Sequence, residues 1–195
     1  MLLQSQLEPH MLFNTLVNLR VLIGLDPAAA QQMLDRLGDY LRATLGGSRA
    51  TLHPLTDEFG CLRDYLELIA VRMGPRLAWQ LDLPDALHAV PVPPLLLQPL
   101  VENAIRHGLE PEVAGGSVQV SARTTADGNQ LLLQVRNSGA PLVTPQPQTD
   151  ARPGRSFGLA QVRERLKTLY GDEATFELIA DSAGQTCANI VIPLK

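Results

Sequence analysis

Over the first 73 residues apolar side chains return every three or four positions, the period of helices with one buried face. Leu12, Leu16, Leu19 and Ile23 share such a face and predict a helix over residues 2–25, closed by Gly24 and Pro27. Met33, Leu37, Leu41 and Leu45 predict a second over 27–45, with Pro27 at its start and Gly46-Gly47 at its end, so that the two form a helical hairpin. A third begins near Pro54 with Thr56 as N-cap, and its seam of Phe59, Leu62, Leu66, Ile69 and Met73 asks for a helical partner.

Beyond Gly74-Pro75 the period falls to two, and residues 76–83, 118–124, 131–137, 174–180 and 188–194 read as strands. Asp127-Gly128-Asn129 and Ser182-Ala183-Gly184 lie between adjacent pairs of them and predict two antiparallel hairpins. Helices over 94–108 and 157–170 interrupt the strands. Residues 140–155, with four prolines and few large apolar residues, predict a long loop of the kind that serves as a lid. The expectation is an α+β chain with a helical module at 1–73 and a mixed sheet covered by helices at 76–195.

Composition narrows the functions open to such a chain. A hydrophobic content of 45% over 195 residues suffices for buried cores and excludes disorder throughout. The net charge of −4 and the lack of a local basic patch argue against a nucleic-acid partner. The apolar run at 91–97 is too short to cross a bilayer, and residues 1–25 lack the plan of a signal peptide. Cys61 and Cys187, far apart in unlike surroundings, read as packed thiols rather than a disulfide or zinc site.

Three clusters carry candidate chemistry. Gln6, His10 and Asn14 stand four apart on the opening helix, where the Asn14 carboxamide can hold the His10 imidazole in one orientation as a nucleophile. Pro9, just before it, removes a backbone hydrogen bond and predicts a kink. The helix over 94–108 turns Leu97, Leu100, Val101, Ala104 and Ile105 to one side and Gln98, Glu102, Asn103, Arg106 and His107 to the other. That polar row supplies what a metal-bound polyphosphate requires, a neutral oxygen for Mg²⁺ from Asn103 and Arg106 with His107 toward the anion. The third cluster is Asn137-Ser138-Gly139 at a strand end, followed after the loop by Gly154-Arg155-Ser156-Phe157-Gly158-Leu159, where glycines at a helix mouth let backbone N–H groups approach phosphate. It is neither a P-loop nor a dinucleotide-binding βαβ unit. His53, His88 and Arg163 with Arg165 read as solvated, and Trp79 as packing.

Together, in this order, the clusters resemble the LytS-like sensor histidine kinases, whose ATP-binding domain is of the GHKL type. Gln6 to Asn14 is similar to the Gln-x-x-x-Pro-His-Phe-Leu-Phe-Asn phosphoacceptor motif, with Met11 for Phe. Leu97 to Gly108 matches the N box without a gap, and Gly154 to Gly171 the lid end and following helix. The resemblance implies a dimerisation and phosphoacceptor module at 1–73 and an ATP-binding domain at 76–195. It implies that His10 takes the γ-phosphoryl group of ATP, that Asn103 holds Mg²⁺, and that Glu102 orients the attack or the metal shell. Arg106 and His107 would contact phosphates, Asn137 the adenine amino group, and Gly139 would leave room for the purine. Gly154, Gly158 and Leu159 would form the lid hinge and helix mouth.

The implied partners are the receiver domain of a response regulator, whose Asp takes the phosphoryl group, and a second copy of the chain. Relatives carry membrane-spanning helices and a sensor before the His helix, so the resemblance also implies an upstream anchor in the inner (plasma) membrane and a cytoplasmic position for this portion. Three departures stand out: Asn137 replaces the family's Asp, Pro141 the second glycine of that box, and Ser156 the middle lid glycine. They keep open the reading of a non-catalytic nucleotide-binding scaffold, and the resemblance also admits a GHKL ATPase in which Glu102 activates water.

Overall fold

The computed structural model describes residues 9–46, 51–139, 157–180 and 185–194. Helices α1 (Pro9–Leu25) and α2 (Pro27–Gly46) form the hairpin that the spacing predicts, with Asp26 between them. The Asp26 side chain accepts from the Ala29 N–H at 3.0 Å and so caps the second helix. Met33 and Leu37 of α2 are buried. Leu12 and Leu19 of α1 are half-buried against the core, but Leu16 and Ile23 of the same row stand exposed, with Phe13, Val17 and Val21 beside them. Among the described residues that apolar surface stays exposed.

A short strand β1 (His53–Pro54), which the spacing does not predict, runs directly into α3 (Leu55–Met73). Thr56 is therefore not a cap but a residue of the first turn, beside Asp57 and Glu58, and the cap position falls on Pro54. The seam Phe59, Leu62, Leu66, Ile69 and Met73 is buried throughout, as its spacing requires. Gly74 leaves the helix at φ 56, where a side chain would be strained.

Strand β2 (Leu77–Asp82) follows; β3 (Pro91–Val92) pairs antiparallel with β1. Helix α4 (Gln98–Asn103) passes without a break into a wider turn over Ala104–Leu109, in which the Glu110 N–H donates to the Ile105 carbonyl at 2.8 Å in an i to i+5 bond. It begins later than the pattern predicts, because Leu95 sits at φ 57, outside helical space. The remaining elements are β4 (Gly116–Thr124), β5 (Gln130–Asn137), α5 (Phe157–Tyr170), β6 (Thr175–Ala180) and β7 (Thr186–Pro193).

The main sheet has the order β2-β4-β5-β7-β6 and is mixed: β2 lies parallel to β4, and the other pairs are antiparallel, including both predicted hairpins. Its inner face is Val118, Val120 and Ala122 of β4, Leu131, Leu133 and Val135 of β5, and Ala188, Ile190 and Ile192 of β7. The outer face is more polar, with Gln134 donating to Asn189 at 2.9 Å. Side chains of α2, α3, α4, α5 and the sheet join in one hydrophobic core. The fold is an α+β arrangement, a mixed five-stranded sheet covered by helices.

Candidate active site

The inward row of β5 changes character at its end. Leu131, Leu133 and Val135 are succeeded at the same pleat position by Asn137, only 3% exposed. Its register partner on β7 is Thr186, also buried, so the apolar sheet face closes on a polar pair. The Asn137 amide nitrogen has no hydrogen-bond partner, a costly condition for a buried donor.

The wide turn after α4 packs onto this strand end through glycines. A Cβ on Gly108 would lie 2.2 Å from Asn137 Nδ2, and one on Gly139 1.9 Å from the Gly108 carbonyl oxygen. Gly139, predicted to leave room for a purine, is thus required for the close passage of two backbones. The polar residues before this contact, Glu102, Asn103, Arg106 and His107, are half-buried on the outer side of the helix, while Leu100, Val101, Ala104 and Ile105 are buried beneath it. Gly158, second residue of α5, brings that helix mouth against the start of α4: a Cβ there would stand 3.4 Å from Pro99 Cβ. Leu159 packs half-buried against the core.

His10 and Asn14 lie on α1, and their side chains are outside the described residues; so is Gly154, with the whole predicted lid loop at 140–155. The structure therefore brings together the row Glu102 to His107 with Asn137, Gly139 and Gly158.

Several readings of single residues change. Gln98, assigned to the polar face, is 3% exposed; its Nε2 donates to Glu102 Oε1 at 2.7 Å and to the Tyr40 hydroxyl. His53 is not solvated: its Nε2 is 2.9 Å from Glu58 Oε2. Glu58, buried to 1% exposure, also accepts from the Leu95 N–H at 2.8 Å and the Leu97 N–H at 2.7 Å. It thereby holds the strained approach to α4. Arg165 is partly buried and donates to the Pro94 carbonyl, and its burial pulls the guanidinium below its ordinary range. Arg163 lies over the Phe176 ring at 4.9 Å. Three elements, α3, the lead into α4, and α5, thus meet at one polar junction. Tyr40, Glu58 and Thr186 were missed because their roles depend on partners distant in sequence, whereas the i, i+4 spacing of Gln98 and Glu102 was open to reading.

Among the described residues no helix is long and apolar enough to cross a membrane, and no group of three His, Cys, Asp or Glu side chains could cage a metal ion.

Known proteins give an independent comparison. A histidine kinase family model matches residues 1–77. The chain is 34% identical over 173 residues to the sensor histidine kinase YpdA of Escherichia coli K12, covering 87% of the chain and 30% of that protein. It is 29% identical over 199 residues to the sensor protein LytS of Oceanobacillus iheyensis, covering 99% and 34%. The chain thus spans about a third of the length of these relatives. Its fold matches the histidine kinase domain of the Erythrobacter litoralis blue-light activated kinase EL346 with a TM-score of 0.53, at 19% identity and over 98% of this chain and 91% of that one. It also matches the Acinetobacter baumannii histidine kinase AdeS with a TM-score of 0.52, at 17% identity and over 99% and 89%. In motif order and in these matches the chain is similar to the LytS-like sensor histidine kinases.

Proposed function

We propose that the chain is the kinase core of a sensor histidine kinase, with residues 1–73 as dimerisation and phosphoacceptor module and 76–195 as ATP-binding domain. In the reaction an imidazole nitrogen of His10 attacks the γ-phosphorus of ATP. An N–P bond forms as the bond to the β–γ bridging oxygen breaks, and ADP leaves. The phosphoryl group then passes to an Asp of a response regulator's receiver domain.

The observation that carries this reading is the juxtaposition at the end of β5. A buried amide nitrogen without a partner, that of Asn137, lies under the wide turn, and the same helix turns Glu102, Asn103, Arg106 and His107 outward. Asn137 suits the purine edge, since an amide both donates and accepts. Arg106 and His107 suit the phosphates, and Glu102 the orientation of the attack. Asn103 offers Mg²⁺ a neutral oxygen, and the ion when bound would neutralise charge developing between the β- and γ-phosphates. A second copy of the chain would cover Phe13, Leu16, Val17 and Val21 of α1. The same kinship supports an anchor in the inner membrane upstream of α1.

Incubation with γ-labelled ATP and Mg²⁺ tests the reading. The expected result is acid-labile label on the protein, absent in His10→Gln and strongly reduced in Asn103→Ala. Free phosphate without protein label would establish an ATPase, and nucleotide binding with neither product a scaffold. Label at the parent rate in Asn103→Ala would overturn the metal assignment.

A further inference from the structure

Resting on the reading of Glu102 as the group that orients the attack, we infer that Gln98 is its positioning residue and that Tyr40 ties this pair to the helical hairpin. Gln98 and Glu102 lie one turn apart on α4, and the Gln98 amide nitrogen donates to Glu102 Oε1 at 2.7 Å. The same nitrogen donates its other proton to the hydroxyl of Tyr40 on α2. A carboxylate admits only a donor, so Glu102 fixes which end of the Gln98 amide faces it.

Gln98 is thereby fully committed on its nitrogen, while its own Oε1 is buried and has no partner. A core position filled for packing alone would hold Leu or Met and leave no acceptor stranded. The amide is therefore retained for its two N–H groups, one toward the carboxylate and one toward the hairpin. Tyr40 is fully buried, and its ring packs on Tyr65 of α3 with centroids 5.9 Å apart, so its hydroxyl is presented from a fixed base. A shift of α2 relative to α4 acts first on this hydroxyl, then on the Gln98 amide, and through it on the direction of the Glu102 carboxylate. The docking of the helical hairpin is in this way reported to the reacting face of α4, with no contact between the hairpin and nucleotide required.

The test compares Gln98→Leu, Tyr40→Phe and Glu102→Gln in the purified chain. The measurements are the rate of phosphohistidine formation at saturating MgATP, ATP affinity by displacement of a fluorescent nucleotide, and melting temperature. Positioning predicts that Gln98→Leu slows the saturated rate about tenfold or more while ATP affinity moves less than about threefold. Tyr40→Phe, which keeps the ring and its packing, is expected to slow it less and in the same sense. The double variant is expected to be no slower than Gln98→Leu alone, because both act through one carboxylate. A purely structural role would lower melting temperature without this separation of rate from affinity. If Glu102→Gln is slow while both Gln98→Leu and Tyr40→Phe stay within about twofold of the parent, the inference fails and the reading of Glu102 stands. If Glu102→Gln is itself unaffected, that reading fails. Should Gln98→Leu not fold, Tyr40→Phe decides alone: a slowed rate with unchanged affinity supports the relay, and the parent rate overturns it.

Discussion

Gly108 lies so close to Asn137 that a single added carbon would stand 2.2 Å from the amide nitrogen, which binds the turn after α4 to the end of the central strand. At Gly108 the obstacle is a side-chain amide that can turn away. At Gly139 it is the Gly108 carbonyl itself, 1.9 Å from the position of a Cβ. Urea unfolding is expected to show Gly108→Ala destabilised by about 1–3 kcal/mol and Gly139→Ala by more, since backbone must move in the second case. Equal losses at the two positions would contradict the contact.

Asn137 gives a prediction for the nucleotide itself. Its amide nitrogen is buried without a partner, so replacing the side chain with an apolar group of similar size removes a stranded donor without opening the fold. Asn137→Leu is expected to weaken ATP binding about tenfold or more in calorimetry while leaving the melting temperature unchanged or higher. Asn137→Asp, which supplies the carboxylate common in the family, is expected to strengthen it. Unaltered affinity in both variants would remove Asn137 from the base site.

Glu58 is expected to matter for stability out of proportion to its place on a helix. It accepts from Leu95, Leu97 and His53 in a buried setting, so Glu58→Ala strands two backbone N–H groups and frees a residue with positive φ. The expected cost in urea unfolding is about 2–4 kcal/mol. His53→Ala removes one donor and leaves the other two, and about 0.5–1.5 kcal/mol is expected. A smaller loss for Glu58→Ala than for His53→Ala would show that the carboxylate does not hold the loop.

Cys61 supplies a pH signature. Burial, then the charges of Glu58, Asp64 and Asp57, push its thiol up to about 11 from an ordinary 9.0. At pH 8 the thiolate is then scarcer by about a hundredfold, and alkylation of Cys61 in Cys187→Ala protein is expected to be slow in the native state and fast in urea. Because the folded value lies above the unfolded one, the linked stability is present below pH 9 and is lost as pH rises toward 11. Cys61→Ala is expected to flatten that part of the stability profile. Rapid native alkylation at pH 8 would contradict the assignment.

The periodic parts of the chain were legible before the fold was known. Seam residues such as Leu62 and Leu66, the β4–β5 hairpin around Gly128, and the apolar underside of α4 follow from repeats of 3.6 or 2, which are local properties. The polar row from Glu102 to His107 was legible for the same reason. What escaped was set by tertiary neighbours: His53 looks like a loop histidine until Glu58 is placed beside it, and Gln98 looks like a surface residue until Tyr40 covers it. Thr186 gives no sign in the sequence that it stands across from Asn137, because strand register is fixed by pairing rather than by composition. The start of α4 was misplaced for a backbone reason, a leucine in left-handed space, which no hydrophobic count reveals.

Strand β2 runs parallel to β4, and the stretch that carries the chain from one to the other contains α4. Parallel neighbours cannot be closed by a tight turn; they need a long excursion that returns to the starting end of the sheet. The helix that carries the row Glu102 to His107 is thus also the hinge pin of the molecule's topology. Registering the outermost strand and seating that polar row are one event in assembly, and a chain that completes its sheet has already set the row in place.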